Sequence, residues 1–205
     1  MIAVIDMKLG NVYSVCNALK HLGYQFILTS DPEKISQAEK LILPGVGSFA
    51  EASARLDQNG MRDCIRKEVL VNRKPFLGIC LGMQLLADEG EEGGLSQGLG
   101  LIRARVSKLR CDPQIYRLPH IGWNDVTNRG MAVLNGVESG SCFYFVHSYE
   151  IMLKEECSYA TSDYGVEFIA AVQKEHIVGT QFHPEKSQFK GLKILKDFAE
   201  GPMKC

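Results

Sequence analysis

The sequence predicts an α/β protein built on a mostly parallel central sheet flanked by helices. Three observations carry that prediction. Short runs such as Ile2–Ile5, Phe26–Thr29, Leu41–Leu43 and Phe76–Ile79 are apolar on both faces, as strands of a covered sheet must be. Helical periodicity appears between them, in Val12, Val15, Cys16, Leu19 and Leu22. Strand and helix then alternate through the first half, and such alternation selects parallel pairing with right-handed crossovers. In a sheet of this kind the active site belongs at the carboxyl ends of the strands.

The remaining elements follow in order. Gly23 stops the first helix. The stretch from Ala50 to Leu70 reads as one helix interrupted near Asn59-Gly60, and Leu81 to Leu86 as a short helix directly after a strand. Between about Glu89 and Trp123 the pattern loosens into glycines, charges, Pro113 and Pro119, which predicts excursions or antiparallel pieces added to the core. Further strands are expected at Phe143–Val146, Phe168–Val172 and Ile177–Phe182, with a last helix from about Leu192 to Phe198.

At 205 residues, the chain reads as one domain spanning residues 1–205. Its 45% hydrophobic and 23% charged content is ordinary for a globular protein. A net charge of -1 gives no global surplus for a nucleic-acid partner. No run approaches the roughly 20 apolar residues of a membrane span, and Met1–Asp6 lacks the basic start and long apolar core of a signal peptide. The seven cysteines are odd in number and include no C-x-x-C pair, which points away from a disulfide framework or a zinc site and toward a reducing cytoplasm. No H-E-x-x-H or comparable metal spacing occurs, and no cofactor is called for.

Two distant segments carry chemistry. In Gly78-Ile79-Cys80-Leu81-Gly82, glycines flank a cysteine where a strand turns into a helix. A nucleophile elbow needs that arrangement, because a β-carbon near the turn would collide with it. The helix N-terminus favours the thiolate, and the Leu81 N–H becomes a candidate oxyanion donor. In Gln181-Phe182-His183-Pro184-Glu185, an imidazole stands two residues before a carboxylate. Pro184 keeps the backbone extended, so both side chains project to one face and Glu185 can orient His183. A buried structural cysteine and a surface His-Pro-Glu turn are the bland alternatives to these two readings.

The loop Leu43-Pro44-Gly45-Val46-Gly47-Ser48-Phe49 follows a strand and precedes a helix. It lacks the Lys-Ser/Thr of a phosphate loop and is not G-x-G-x-x-G. A second oxyanion element is the preferred reading, with the backbone around Val46 and Gly47 exposing N–H groups. Of the other histidines, His147 lies at a strand end and is a candidate pocket residue, whereas His21 and His176 read as solvent-facing.

These segments together resemble the class I (triad) glutamine amidotransferases, which have a flavodoxin-like fold. Pro119-His120-Ile121-Gly122-Trp123-Asn124, Tyr144-Phe145-Val146-His147-Ser148-Tyr149 and Gly179 to Ser187 extend the match across nearly the whole chain. They are most similar to the branch formed by glutaminase subunits of imidazole glycerol phosphate synthase. The resemblance implies that Cys80, His183 and Glu185 hydrolyse glutamine to glutamate and ammonia through a cysteinyl thioester. It implies an oxyanion hole near Val46, Gly47 and Leu81, and contacts to glutamine from Gln84, Glu92, Ser148 and Tyr149. It also implies a heterodimer with a (β/α)8-barrel cyclase that receives the ammonia, touched through Asn11, Trp123, Tyr144 and Lys186.

The segment Asp6-Met7-Lys8-Leu9-Gly10-Asn11 departs from the family, which usually has a small or aromatic residue and then glycine after the aspartate. Lys8 and Leu9 stand where partner contacts are expected. An ammonia-supplying subunit for a surface-sugar amidating synthase therefore stays open as a rival. A cysteine hydrolase or peptidase and a non-catalytic regulatory or nucleotide-binding module are the others.

Overall fold

A computed structural model describes residues 1–10 and 12–201, apart from the Asn59 side chain. The first half alternates as expected: β1 (Ile2–Ile5), α1 (Tyr13–His21), β2 (Phe26–Thr29), α2 (Pro32–Gln37), β3 (Lys40–Gly45), α3 (Phe49–Leu56), α4 (Met61–Arg66), β4 (Phe76–Cys80) and α5 (Leu81–Gln84). The break between α3 and α4 falls at Gln58–Gly60, where Gly60 is left-handed with φ 69°. A π-helical turn, Lys67–Val71, extends α4.

The second half is richer in strands: β5 (Glu89–Gly90), β6 (Ser96–Gln97), β7 (Ala104–Lys108), β8 (His120–Asn128), β9 (Ser141–His147), β10 (Tyr149–Leu153), β11 (Ser158–Asp163), β12 (Glu167–Lys174), β13 (Ile177–Thr180) and the closing helix α6 (Gln188–Glu200). The main sheet has the order β2-β1-β3-β4-β13-β12-β11-β8-β9. From β2 to β13 every neighbouring pair is parallel. From β13 to β9 the pairs are antiparallel. The loosely patterned stretch after Glu89 resolves into a smaller sheet, β10-β7-β5-β6.

Burial explains why the parallel strands read as continuous apolar runs. Ala3, Ile5, Leu41, Leu43 and Phe76 pack on one face beneath Ile35, Phe49, Leu56 and Ile65, from α2, α3 and α4. Ile2, Val4, Ile42, Leu77 and Ile79 pack on the other beneath Val15, Leu19, Ile194, Leu195 and Phe198, from α1 and α6. Alternate residues thus enter two different cores, so neither face tolerates polar residues.

Two readings of the sequence need correction. His176 is buried rather than solvent-facing; its Nε2 lies 2.8 Å from the Val69 carbonyl, which closes the end of the π-helical turn over the sheet. Leu9 is buried in the core, so of that pair only Lys8 is exposed, with φ 59° and its ammonium on Asp6 at 2.8 Å. His21 is exposed, as its surroundings predict.

Candidate active site

Strands β3, β4 and β13 are neighbours, and their carboxyl ends fall together: Gly45 pairs with Cys80, and Ile79 with Thr180. The three loops that leave these strands therefore start side by side. One carries Val46 and Gly47, one is the turn at Cys80, and one carries His183 and Glu185.

Cys80 has φ 54° and ψ -107°, an unusual conformation for a residue with a side chain. Such a conformation costs about 1–3 kcal/mol and persists only when the surroundings enforce it. Here they do. A Cβ at Gly82 would overlap the Leu43 carbonyl oxygen, and one at Gly78 would overlap the Gly82 carbonyl. Only glycines let the chain reverse this tightly from β4 into α5. Leu81 is the first residue of α5 and carries one of the N–H groups that a helix cannot satisfy internally.

His183 Nδ1 lies 2.8 Å from Glu185 Oε1, and both side chains are almost wholly buried. The segment Pro184–Lys186 is a short 3-10 helix with His183 at its start, not the extended backbone predicted from Pro184, and this turn rather than a strand period brings the carboxylate to the ring. The His183 backbone is fixed from two sides: its N–H donates to the Tyr144 carbonyl at 2.9 Å, and its carbonyl accepts from the Ser187 hydroxyl at 2.6 Å. Burial alone would discharge the ring. Interactions with the Cys80 thiol and with Glu185 outweigh it and raise the imidazole to about 10. No hydrogen bond of normal geometry has formed at Nε2, however. The ring is close enough to feel the thiol and still has a donor to offer. The Cys80 thiol itself rests 3.6 Å from the Val146 carbonyl and 3.7 Å from the Gln181 amide nitrogen.

A cavity of about 600 Å3 opens beside the thiol. Val46, Gly47, Leu81, Gln84, Glu92, Ser148 and Tyr149 all line it with Cys80. Gln84 is buried, and its amide nitrogen donates to the Tyr149 carbonyl and to Gln181 Oε1, each at 3.1 Å. Glu92 is half-buried rather than a solvated loop charge. Its carboxylate accepts from the Phe49 N–H at the start of α3 at 3.0 Å, and burial pushes its pKa up despite that bond. The Glu92 carboxylate and the Cys80 thiol thus line one cavity, which suits a small molecule that carries an ammonium group and an acyl group.

Trp123, Tyr144 and Lys186 form one patch on the outer side of His183. Trp123 and Tyr144 are directly paired across β8 and β9, with ring centroids 6.1 Å apart. The Lys186 ammonium sits 5.6 Å above the Tyr144 ring. Trp123 is 49% exposed, a large apolar area for a side chain with no covering element. Asn11, the fourth residue expected there, lies outside the described residues.

Gln181 was not singled out by its residue type, although it touches the thiol. The signal was present: it stands two before His183, and alternate residues of an extended segment share a face. Among the described residues, no group of three or more His, Cys, Asp or Glu side chains could hold a metal ion. No described helix is long and apolar enough to cross a membrane.

Comparisons with known proteins identify the family. Residues 3–200 match the family model for glutamine amidotransferase class-I. A Campylobacter jejuni protein named imidazole glycerol phosphate synthase subunit HisH 1 is 45% identical over 199 residues, covering 97% of this chain and 98% of the relative. The HisH subunit of Moorella thermoacetica is 47% identical over 201 residues, covering 97% and 94%. A crystal structure described as a glutamine amidotransferase superposes with a TM-score of 0.76 at 21% identity, covering 97% of each chain, and supports the fold. The chain therefore belongs to the class-I glutamine amidotransferase family, on the branch of the HisH subunits of imidazole glycerol phosphate synthase.

Proposed function

We propose that the chain hydrolyses glutamine and delivers the ammonia to a (β/α)8-barrel cyclase subunit, for imidazole glycerol phosphate formation in histidine biosynthesis, in the cytoplasm. The observation that carries this reading is the strained Cys80 turn at the edge of one small cavity, with the His183–Glu185 pair acting on the thiol from beside it. The thiol proton passes to His183, and the thiolate attacks the amide carbon of glutamine. The N–H groups of Leu81 and of the Val46–Gly47 loop stabilise the oxyanion. His183 returns the proton to the departing nitrogen, the carbon–nitrogen bond breaks, and ammonia leaves a γ-glutamyl thioester on Cys80. Water, deprotonated by His183, cleaves that thioester to glutamate and regenerates the thiol. Glu185 holds the ring and stabilises the imidazolium throughout.

Gln84, Glu92, Ser148 and Tyr149 hold the amino-acid end of the substrate. The patch of Trp123, Tyr144 and Lys186, together with Asn11, docks the cyclase. A partner is required chemically, because ammonia released into water at neutral pH is protonated and lost as a nucleophile.

The test is glutamate release from glutamine by this chain alone, then with the cyclase and its nucleotide ligand. Strong stimulation in the complex is the expected result. Cys80→Ala should lower glutamine-dependent turnover by about 10^4-fold or more while ammonia-dependent synthesis by the complex survives. Full glutamine hydrolysis by Cys80→Ala would show that the nucleophile lies elsewhere.

A further inference from the structure

Two buried histidines beside the cavity have no part in the reaction just described. His120 starts β8 and His147 ends β9, and the two are paired in register. His120 Nδ1 lies 3.1 Å from His147 Nε2, and His147 Nδ1 lies 2.9 Å from the Tyr149 carbonyl. His120 is held between two rings, Tyr164 at 4.0 Å and Phe145 at 5.1 Å, both nearly parallel to it. That sandwich fixes the imidazole plane so that Nδ1 faces His147.

The chemistry of these contacts leaves one proton arrangement. A carbonyl oxygen only accepts, so His147 Nδ1 must carry hydrogen. In a neutral ring its Nε2 is then bare, and the hydrogen of the His120–His147 bond must sit on His120 Nδ1. His120 Nε2 is left as an acceptor, with the Asn124 amide nitrogen 3.5 Å away. Both rings are at most 5% exposed, and burial moves each well below the ordinary histidine range, to about 4. The pair is neutral and its tautomers are set.

The bridge ends where glutamine would be held. The Tyr149 carbonyl accepts from both His147 and Gln84, so its two lone pairs are used. The single residue Ser148 joins β9 to β10, and the Val146 carbonyl contacts the Cys80 thiol. We propose that His120 is a positioning residue for glutamine binding: by donating to His147 it fixes the Val146–Tyr149 turn against Gln84, and so sets where Ser148 and Tyr149 meet the substrate. This rests on the glutaminase reading. It also ties the glutamine end of the cavity to β8, the strand that carries Trp123.

The test compares glutamine KM and kcat in the complex of this chain with its barrel partner. His120→Phe keeps the ring stack and removes the donor, leaving His147 Nε2 buried and unpaired. It should raise KM about tenfold with kcat within about twofold, the loss expected for one buried hydrogen bond. His120→Asn places an amide N–H near the former Nδ1 and should return KM to within about threefold of the unchanged protein. His120→Gln carries its amide toward the Nε2 end and should behave like His120→Phe. A folded His120→Phe with unchanged KM overturns the inference, and so does equal behaviour of the Asn and Gln variants if the Phe variant does not fold. No turnover by the unchanged complex would instead overturn the glutaminase reading, and this inference with it. Nitrogen NMR of labelled histidines gives a readout that structure alone would not move. His147 should show the neutral Nδ1–H tautomer down to about pH 5, and an Nε2–H tautomer would refute the bridge.

Discussion

His183 and the His120–His147 pair are buried to nearly the same degree, at 3%, 3% and 5% exposed, yet their pKa values move in opposite directions. His183 meets a carboxylate and a thiol, and its pKa rises to about 10. His120 and His147 meet each other, a carbonyl and aromatic rings, and theirs fall to about 4. Burial disfavours the charged form at all three and sets the sign where nothing opposes it. At His183 the Cys80 side chain and then the Glu185 carboxylate outweigh it. The pair has no carboxylate partner, and there a proton would add repulsion between the rings and from His183. One site is therefore suited to moving protons, and the other to keeping a turn in place.

The largest effect on this contrast should come from Glu185→Gln. It keeps the shape but removes the charge that orients His183, and kcat should fall by about 10^4-fold while the protein stays folded. Steady-state glutamate release and circular dichroism check the two halves of that statement.

The reverse experiment puts a carboxylate where none exists. His120→Asp should pull His147 toward the charged form and bury an ion pair without the rest of its hydrogen bonds. A loss of about 3 kcal/mol in stability is expected, read from urea unfolding at pH 7. Unchanged stability would mean that the pair region accepts charge as readily as the end of β13.

Next comes the pH dependence of stability, where the two regions have opposite signs. His183 is raised from 6.5 to about 10 on folding. Its contribution is fully present below pH 6.5 and is lost as pH rises through about 10. His120 and His147 are lowered from 6.5 to about 4. Their contribution is present above pH 6.5 and is lost as pH falls toward about 4. Urea midpoints between pH 4 and 10 should fall on both sides. His120→Asn should make the acid side less steep and leave the alkaline side, because His147 stays buried, and Glu185→Gln should do the reverse, because Cys80 still raises His183.

The smallest effect belongs to Lys186→Met. The ammonium over Tyr144 is exposed, and an exposed cation–π contact is worth about 0.5–1 kcal/mol. Stability should change by no more than that, while affinity for the cyclase drops measurably in a titration.

The residues around Cys80 and His183 were legible because their signals are local. Gly78 and Gly82 announce the tight turn within five residues, and the His-Pro-Glu spacing brings His183 and Glu185 together, though through a short 3-10 turn rather than the extended backbone the sequence predicts. The parallel strands were legible for a related reason: with a core on each face, every residue of β1 is apolar. The small sheet β10-β7-β5-β6 was not. Its strands pair across as many as 49 positions, as between Leu153 and Ala104, and two of them are only two residues long. His176 looked exposed because its neighbours in sequence are polar, but the Val69 carbonyl that meets it is 107 residues away in the chain.

By itself, then, the sequence determined the alternation of elements and the elbow at Cys80, consequences of short-range periodicity and of glycine's missing side chain. The tertiary structure alone decided that β3, β4 and β13 end together, that Gln181 reaches the thiol, that a 3-10 turn sets Glu185 against His183, and that one buried histidine is raised in pKa while two others are lowered. Those outcomes depend on which groups long-range strand pairing brings within hydrogen-bond distance, and no local pattern of residues records that.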